Sequence, residues 1–174
     1  MEIPLPAFYF LQGVFSKVSE KLVLATASPY SIAVFKTLGI DFESESSDVD
    51  ERFATRPTDP KEIVLLLARL KAECVAKKRS LDLVVGFDSV GCFEGRILEK
   101  PPSSQEAFER LKALSGKSFD FYTGVHLIDS GAGNAVSKLA QTRIQMRVLQ
   151  DEEINNVRNA RGVSTHSCCL WQNE

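Results

Sequence analysis

The sequence predicts an α/β protein in which strands and helices alternate along a single layered domain. Short apolar runs of strand length alternate with segments in which apolar residues recur every three or four positions. The helical segments begin at capping residues, and glycines are placed to end two of them, at Gly39 and Gly116. A chain of 174 residues with 44% apolar and 25% charged residues has the composition of one globular domain. These features indicate helices packed on a sheet.

The first strand and helix are expected between residues 22 and 39. The apolar run over residues 22–27 predicts a buried strand. Ser28 and Pro29 follow it directly, and these residue types suit an N-cap and the first helical position. Gly39 is placed to end this helix, and a second strand is expected near Phe42.

A longer helix is predicted to begin at Asp59-Pro60 and to end near Lys77-Lys78. It carries the clearest helical period in the chain. The apolar positions that define this period are Ile63, Leu66, Leu67, Leu70 and Cys74.

The middle of the chain predicts a central strand, a hairpin and a third helix. The strand is expected over residues 81–87, and the hairpin over residues 90–98 with its turn at Glu94-Gly95. Ser103 and Glu106 have the spacing of a capping box, which predicts that a helix begins there.

The last part predicts an antiparallel pair of strands followed by a fourth helix. The strands are expected over residues 119–128 and 139–149, joined by the loop 130–134. The helix is expected over residues 151–157, and residues 161–174 show no period of either kind.

The composition excludes several classes of protein. A net charge of −2, from 21 basic and 23 acidic residues, offers no attraction to a polyanion, so binding of DNA or RNA is disfavoured. The apolar stretch 3–15 lacks the features of a signal peptide, and no run reaches transmembrane length. The cysteines have neither zinc-site nor disulfide-framework spacing, which favours reduced thiols and a cytoplasmic location. They are Cys74, Cys92, Cys168 and Cys169.

Ser28-Pro29 is the first candidate for a functional role. A strand there runs directly into a helix N-terminus, whose free N–H groups and positive dipole end suit a phosphate. The alternative is that Ser28 only caps its own helix, since Ser-Pro helix starts occur without any ligand.

Asp88 is the second candidate, within Gly86-Phe87-Asp88-Ser89 at the expected end of the most apolar strand. Ligands of open α/β sheets gather outside the carboxyl ends of strands, where an acid can hold a divalent cation or accept a proton from an attacking water. The alternative is an Asp that only forms a turn.

Two lysines form the third candidate. Lys100-Pro101 follows the hairpin, and Lys71 interrupts an apolar helix stripe. A lysine in such a stripe ordinarily snorkels to solvent, unless a charge partner holds it. The acidic segment Asp48-Val49-Asp50-Glu51 could supply that partner, or it could be a solvated loop. The stripe consists of Val64, Leu67, Ala68 and Val75.

Taken together and in order, these pieces resemble the Maf family of nucleoside triphosphate pyrophosphatases, over residues 22–162. Each motif alone is weak, but eight in register are specific. They are Leu-Ala-Thr-Ala-Ser-Pro at 24–29, Leu-Gly-Ile-Asp-Phe-Glu at 38–43, Glu51, Lys71-Ala72, Gly86-x-Asp88-Ser89, Glu99-Lys100-Pro101, Leu114-Ser115-Gly116 and Tyr122-Thr123-Gly124-Val125.

The resemblance implies roles for the candidate residues. Asp88 would be the general base or a metal-linked acid, and Glu51 an acid of the same site for Mg²⁺ or Mn²⁺. Lys71 and Lys100 would face phosphate oxygens, and Ser89 would contribute to base selectivity. Hydrolysis between the α- and β-phosphates needs an activated water, a metal ion and fixed positive charge, which two acids and two lysines can supply.

The resemblance also implies an elongated, inosine-triphosphatase-like domain, with a mixed central sheet and a cleft between two lobes. The expected organisation is an N-terminal extension over residues 1–21, a Maf-like domain over residues 22–162 that is incomplete at its C-terminal end, and an atypical tail over residues 163–174. A nucleoside triphosphate is the expected partner, with no nucleic acid or membrane, and a homodimer stays open beside a monomer.

The sequence departs from the family pattern at two places. Members carry an arginine pair after Ser-Pro and then an acid, where this chain has Tyr30, Ser31 and Ala33. Tyr30 could stack on a base, and Arg52 or Arg56 could replace the missing charge. Past Gly162 members continue through a further glycine-rich segment that lines the pocket, and this chain has residues 163–174 instead.

The expected function is hydrolysis of a nucleoside triphosphate to the monophosphate and pyrophosphate, on pyrimidine or modified nucleotides such as TTP or UTP. A non-catalytic nucleotide-binding or regulatory protein on the same fold is the alternative, motivated by the two departures. House-cleaning of the inosine-triphosphate type is a third function with similar chemistry.

Overall fold

The computed structural model describes residues 21–51, 56–99 and 101–160. Strands and helices alternate there as predicted. They are β1 Leu22–Ala25, α1 Pro29–Lys36, β2 Glu43–Glu45, α2 Pro60–Ala76, β3 Leu83–Phe93, β4 Arg96–Leu98, α3 Ser104–Leu114, β5 Ser118–Asp129, β6 Asn134–Gln145 and α4 Asp151–Ala160. Within these ranges, none of the helices has both the length and the apolar character needed to cross a membrane.

The strands form one six-stranded mixed sheet in the order β2-β1-β3-β5-β6, with β4 paired to β3. β1 pairs in parallel with both β2 and β3, and Leu24 lies opposite Val85. β3 and β4 are antiparallel, with Gly91 opposite Leu98. The α/β class and the mixed sheet expected from the sequence are therefore confirmed.

Alternate residues of β1 and β3 face opposite sides of the sheet, and each side is covered by a different helix. The side under α1 holds Leu22, Leu24, Leu83 and Val85 with Phe35 of α1 and with Val125 and Leu127 of β5. The side under α2 holds Val23, Ala25 and Val84 with Ala72 and Val75 of α2. Both faces of the central strands are thus buried, as their continuous apolar runs predicted.

Side-chain caps begin the helices where the sequence predicted them. Asp59 Oδ1 accepts a hydrogen bond from the backbone N–H of Lys61 at 2.7 Å, at the start of α2. Ser103 Oγ accepts one from the backbone N–H of Glu106 at 3.1 Å, at the start of α3. These bonds satisfy N–H groups that the first helical turn leaves unpaired.

The buried face of α2 is the stripe that Lys71 interrupts, since Val64, Leu67, Ala68 and Val75 are all buried. The positions that defined the helical period are buried only in part. Ile63 and Leu67 are fully buried as predicted, but Leu66, Leu70 and Cys74 are only half-buried. Ala68 and Ala72 on the buried face have small side chains, which let the helix approach Gly86 of the sheet closely. The buried residues of α2 are Ile63, Val64, Leu67, Ala68, Ala72 and Val75.

Two glycines of the sheet make this close approach possible. A Cβ atom on Gly86 of β3 would lie 2.1 Å from the carbonyl oxygen of Ala68. A Cβ atom on Gly124 of β5 would lie 2.4 Å from the carbonyl oxygen of Val64. The backbone of α2 therefore rests directly on the backbone of the sheet, with no room for a side chain between them.

Two strand predictions were wrong in their bounds. The strand expected to end at Phe87 continues without a break into the hairpin, so that β3 extends to Phe93. β6 begins at Asn134 rather than at residue 139 and ends at Gln145. Both stretches have polar residues in place of an apolar run, and pairing with neighbouring strands keeps them extended. The turn at Glu94-Gly95 is where it was expected, with positive φ angles of 50° and 76°.

The chain divides into two compact units. The first comprises Met1–Val90 and Tyr122–Thr142, and within its described residues it holds β1, β2, α1, α2 and most of β3, β5 and β6. The second comprises Gly91–Phe121 and Arg143–Glu174, and it holds β4, α3 and α4. In the second unit α3 packs against α4, and Leu114 and Ile154 are fully buried there.

His126 of β5 is a buried polar residue, with 7% of its surface exposed. Its Nδ1 atom lies 2.7 Å from Ser137 Oγ on β6. Burial lowers the pKa of His126; the charge of Glu73 opposes this lowering and the charge of Arg69 adds to it. The native environment therefore favours the neutral imidazole.

Candidate active site

Lys71, Asp88 and Glu51 meet in the first unit. Lys71 Nζ lies 2.6 Å from Asp88 Oδ1 and 2.8 Å from Glu51 Oε1. The side chains of Lys71 and Asp88 are 14% and 12% exposed, whereas that of Glu51 is 53% exposed. The lysine that interrupts the apolar stripe is therefore held by two carboxylates, and the acidic segment supplies one of them through Glu51.

The fit between α2 and the sheet positions these side chains. A Cβ atom on Gly86 would lie 2.7 Å from the backbone nitrogen of Ala72, the residue that follows Lys71. Asp88 is two residues past Gly86, so its side chain lies on the same face of β3, the face under α2. The close seating of the helix thus brings the Lys71 ammonium within hydrogen-bond distance of Asp88.

Asp88 does not lie in a turn, as the alternative interpretation proposed, but within β3. It does lie beyond the parallel part of the sheet, because β1 pairs with β3 only through Val85. That position corresponds to the carboxyl end of the parallel strands, where ligands of α/β sheets bind. Asp88 therefore lies at the expected edge of the sheet, because β3 extends beyond the end of its parallel neighbour β1.

Burial and the neighbouring charges shift the pKa values of Asp88 and Lys71. Burial raises the pKa of Asp88 above its usual value and the charge of Glu51 adds to this, against the opposing effects of Lys71 and Arg56. For Lys71, burial disfavours the ammonium, but Asp88 and Glu51 outweigh it and hold the pKa of Lys71 above its usual value. Lys71 thus stays charged, and Asp88 becomes a stronger base than an exposed aspartate.

Ser89 lies on the other face of β3. It shares the register of Val85 and Phe87, which pack with Phe35 of α1, so its side chain points away from the α2 face that carries Asp88. Its hydroxyl oxygen is 2.8 Å from the hydroxyl oxygen of Thr123 on β5. Thr123 lies in the motif Tyr122-Thr123-Gly124-Val125, but no role for it is predicted from the sequence, because nothing local marks two strands as neighbours.

Ser28 caps α1, with its hydroxyl accepting a long hydrogen bond of 3.5 Å from the backbone N–H of Ser31. The local capping role is therefore present. Leu24 lies opposite Val85, so β1 ends beside Gly86 and the start of α1 follows at the same edge of the sheet as Asp88. A phosphate at this helix N-terminus would be close to the stretch of β3 that carries the acid.

Several expected residues lie outside the part that the structure describes. Lys100 is one, and the side chain of Tyr30 is another. Arg52 also lies outside, as do the N-terminal extension up to residue 20 and the tail over residues 163–174. Their predicted roles stay predictions.

Arg56 supplies positive charge near the acid. Its guanidinium lowers the pKa of Asp88, against the larger effect of burial. Helix α1 has no basic residue in its first turn, and Lys36 is in its last turn. Arg52 and Arg56 are the two possible substitutes for the arginine pair that this chain lacks. Of these, Arg56 lies among the described residues, and its charge acts on Asp88.

The donor set is compatible with one divalent cation. Glu51 and Asp88 already converge on a single positive charge, the Lys71 ammonium. Among residues 21–51, 56–99 and 101–160, no group of three or more His, Cys, Asp or Glu side chains is placed to hold a metal. Mg²⁺ is commonly held by one or two carboxylates together with substrate phosphates, so these two acids fit such an ion.

Comparison with known proteins decides the family. The Maf-like protein family matches residues 21–168. The chain belongs to this family. It is 35% identical over 138 residues to the dTTP/UTP pyrophosphatase of Geotalea uraniireducens, covering 79% of this chain and 71% of that protein. It is 36% identical over 141 residues to the 7-methyl-GTP pyrophosphatase of Nitrosococcus oceani, covering 81% and 70%.

A third relative of this Maf-like chain is the nucleoside triphosphate pyrophosphatase of Synechococcus sp. strain JA-2-3B'a(2-13), which is 41% identical over 134 residues. The match covers 76% of this chain and 68% of that protein. All three relatives are named as pyrophosphatases that act on nucleotides. This bears out the predicted class of enzyme, a hydrolase of nucleotide anhydrides.

Proposed function

We propose that this protein hydrolyses a nucleoside triphosphate between its α- and β-phosphates, releasing the nucleoside monophosphate and pyrophosphate at the site formed by Asp88, Lys71 and Glu51. The carrying observation is the shared ammonium of Lys71, 2.6 Å from Asp88 and 2.8 Å from Glu51. Two acids and a cation at the edge of the parallel strands are the groups that this reaction requires.

Asp88 is the proposed base. A carboxylate with a raised pKa removes a proton from an attacking water more readily than an ordinary aspartate does. Its side chain is only 12% exposed, so few waters compete for its oxygens. Lys71 keeps the carboxylate ionised and oriented, because burial alone would favour its neutral form.

Fixed positive charge would hold the triphosphate. Lys71 contacts Asp88 and the charge of Arg56 acts on the same acid, so we assign both cations to the phosphate oxygens. We assign Lys100 to the same role by family resemblance. The N-terminus of α1, capped by Ser28, adds backbone N–H donors. Charge that develops on the departing pyrophosphate would be stabilised by these groups.

Glu51 and Asp88 would hold Mg²⁺ or Mn²⁺ together with phosphate oxygens. Such an ion, when bound, supplies Lewis-acid polarisation of the phosphoryl group and a lowered pKa for its water. The exposure of Glu51, 53%, leaves this carboxylate accessible from solvent, whereas Asp88 is held within β3.

For the base we propose a pyrimidine or a modified nucleotide, as in TTP or UTP. Relatives of nearly equal identity are named for dTTP/UTP and for 7-methyl-GTP, so overall similarity does not select between them. Ser89 and Tyr30 are the residues that we assign to the nucleoside. The Ser89–Thr123 hydroxyl pair, on the α1 side of the sheet, is a polar group that a base or sugar could contact.

Hydrolysis is favoured over nucleotide binding without turnover because the acid, its cation and the second carboxylate are all present and in contact. Among the described residues, Cys74 and Cys92 form no disulfide bond, in keeping with the cytoplasmic location that we propose.

Product analysis tests the proposal. The purified chain is incubated with a panel of nucleoside triphosphates and Mg²⁺ or Mn²⁺, and pyrophosphate and orthophosphate are quantified separately. Pyrophosphate is expected as the product, with TTP or UTP among the preferred substrates. Orthophosphate as the sole product, or no turnover by protein whose circular dichroism shows it to be folded, would exclude the proposed reaction.

A further inference from the structure

The two acids proposed to hold the metal already share an internal cation. Lys71 Nζ donates to Asp88 Oδ1 at 2.6 Å and lies 2.8 Å from Glu51 Oε1. Both distances are those of charge-assisted hydrogen bonds. The ammonium therefore takes the place between the carboxylates that a divalent cation bound by both would need.

We infer that Lys71 and the divalent cation compete for Glu51 and Asp88, so that the metal enters the site only as the lysine ammonium leaves it. This inference rests on the proposed function, because it concerns the metal of the same reaction. It adds a second role for Lys71: the side chain holds the site closed to metal before the nucleotide arrives, and it is released toward the phosphates afterwards.

The charge balance supports this exchange. The carboxylates of Glu51 and Asp88 carry two negative charges, one more than is needed to balance the Lys71 ammonium. They cannot balance the ammonium and a divalent ion together, because these carry three positive charges. A nucleoside triphosphate brings further anionic oxygens, which can accept the ammonium when it turns away from the acids. Metal and nucleotide should therefore bind cooperatively, each favouring the other by the same factor.

The packing of the residues supports it as well. Helix α2 is fixed through its buried residues Ala68 and Ala72, while the four-carbon stem of Lys71 can rotate without moving the helix. Glu51 is 53% exposed and provides the accessible side of the site, whereas Asp88 is 12% exposed. A cation from solvent would meet Glu51 first and displace the ammonium toward the substrate.

Binding of Mn²⁺ to the nucleotide-free protein tests this exchange. Isothermal titration calorimetry compares the wild type with Lys71→Met, which should bind Mn²⁺ at least about tenfold more tightly because no ammonium has to be displaced. Lys78→Met is the matched control, since Lys78, just past the C-terminal end of α2, also lies near two carboxylates. It is 3.9 Å from Glu45 and 3.8 Å from Asp48. Its Mn²⁺ affinity should equal that of the wild type.

Two further variants assign the effect to this site. Lys71→Arg keeps the positive charge and should bind Mn²⁺ no more tightly than the wild type. The double variant Lys71→Met/Glu51→Gln removes one of the carboxylates and should lose the gain. A Lys71→Met protein that is folded and binds Mn²⁺ no more tightly than the wild type would overturn the inference.

If Lys71→Met does not fold, the wild type itself gives the answer. In NMR spectra, the signal of Lys71 Cε is the one that is absent from the Lys71→Arg variant. Its chemical shift should change in parallel with the fraction of protein that has bound Mg²⁺. A resonance that stays unchanged while Mg²⁺ saturates the protein would refute the exchange. Neither measurement uses turnover, so an inactive wild type would count against the proposed function and not against the competition for the two acids.

Discussion

Gly86→Ala should weaken both the fold and the active site, because the seat of α2 on the sheet leaves no room for a methyl group. The added Cβ atom would lie 2.1 Å from the carbonyl oxygen of Ala68 and 2.7 Å from the backbone nitrogen of Ala72. Both are backbone atoms, so neither can move aside by a change of rotamer. Contacts shorter than 3.0 Å are essentially never made by real Cβ atoms, so helix and strand must separate by about 0.9 Å.

The size of the effect follows from this displacement. Overpacking of a well-packed core costs about 1–3 kcal/mol, which lowers the melting temperature of a domain of this size by about 2–12 °C. Lys71 is on the displaced helix and Asp88 on the strand, and their contact is 2.6 Å. A misplacement of about 1 Å at a catalytic centre lowers activity by about 100-fold, so kcat should fall by that order.

The assay combines thermal melting, followed by circular dichroism, with steady-state kinetics of pyrophosphate release. Gly131→Ala, in the turn between β5 and β6, is the matched control, since its added Cβ atom would be 3.5 Å from its nearest neighbour, Asp129 Oδ1. This control should melt and turn over like the wild type. A Gly86→Ala protein with the melting temperature and kcat of the wild type would refute the claim that the close helix seat sets the Lys71–Asp88 contact.

Four further outcomes are expected. Asp88→Asn should lower kcat at least about 100-fold in protein that circular dichroism shows to be folded, and an unchanged kcat would remove Asp88 from the mechanism. Replacing Tyr30 and Ser31 together with arginine should lower the KM for the triphosphate at least about tenfold by restoring charge near the start of α1, whereas a constant KM would mean that other cations already fill this role. Arg56→Met should raise that KM and move the acid limb of the pH profile of kcat/KM to higher pH. The charge of Arg56 lowers the pKa of Asp88, and Asp88 must be ionised to act as the base, so an unmoved acid limb would contradict this role. His126→Asn should flatten the dependence of melting temperature on pH. Burial lowers the pKa of His126, so below about pH 6.5 the unfolded chain binds more protons than the folded protein does, and the wild type loses stability there. Parallel melting-temperature profiles for the variant and the wild type would show that His126 does not cause this loss.

Local signals account for the elements that the sequence predicted well. Asp59 and Ser103 cap α2 and α3 because a side-chain oxygen can satisfy N–H groups of the adjacent turn without any distant contact. The turn at Glu94-Gly95 is likewise a local conformation. The strand ends were predicted less well, since β3 continues past Asp88 only because neighbouring strands pair with it.

By itself, the sequence determined the family, the alternation of strands and helices, and the identity of Asp88, Lys71 and Glu51 as candidate residues, because motif spacing and helical period are properties of the chain alone. Only the tertiary structure decided that these three side chains meet, and that Ser89 lies with Thr123 on the opposite face. These contacts depend on how closely a helix approaches a sheet and on which strands become neighbours. Both are outcomes of packing between segments far apart in sequence, and no local pattern carries them.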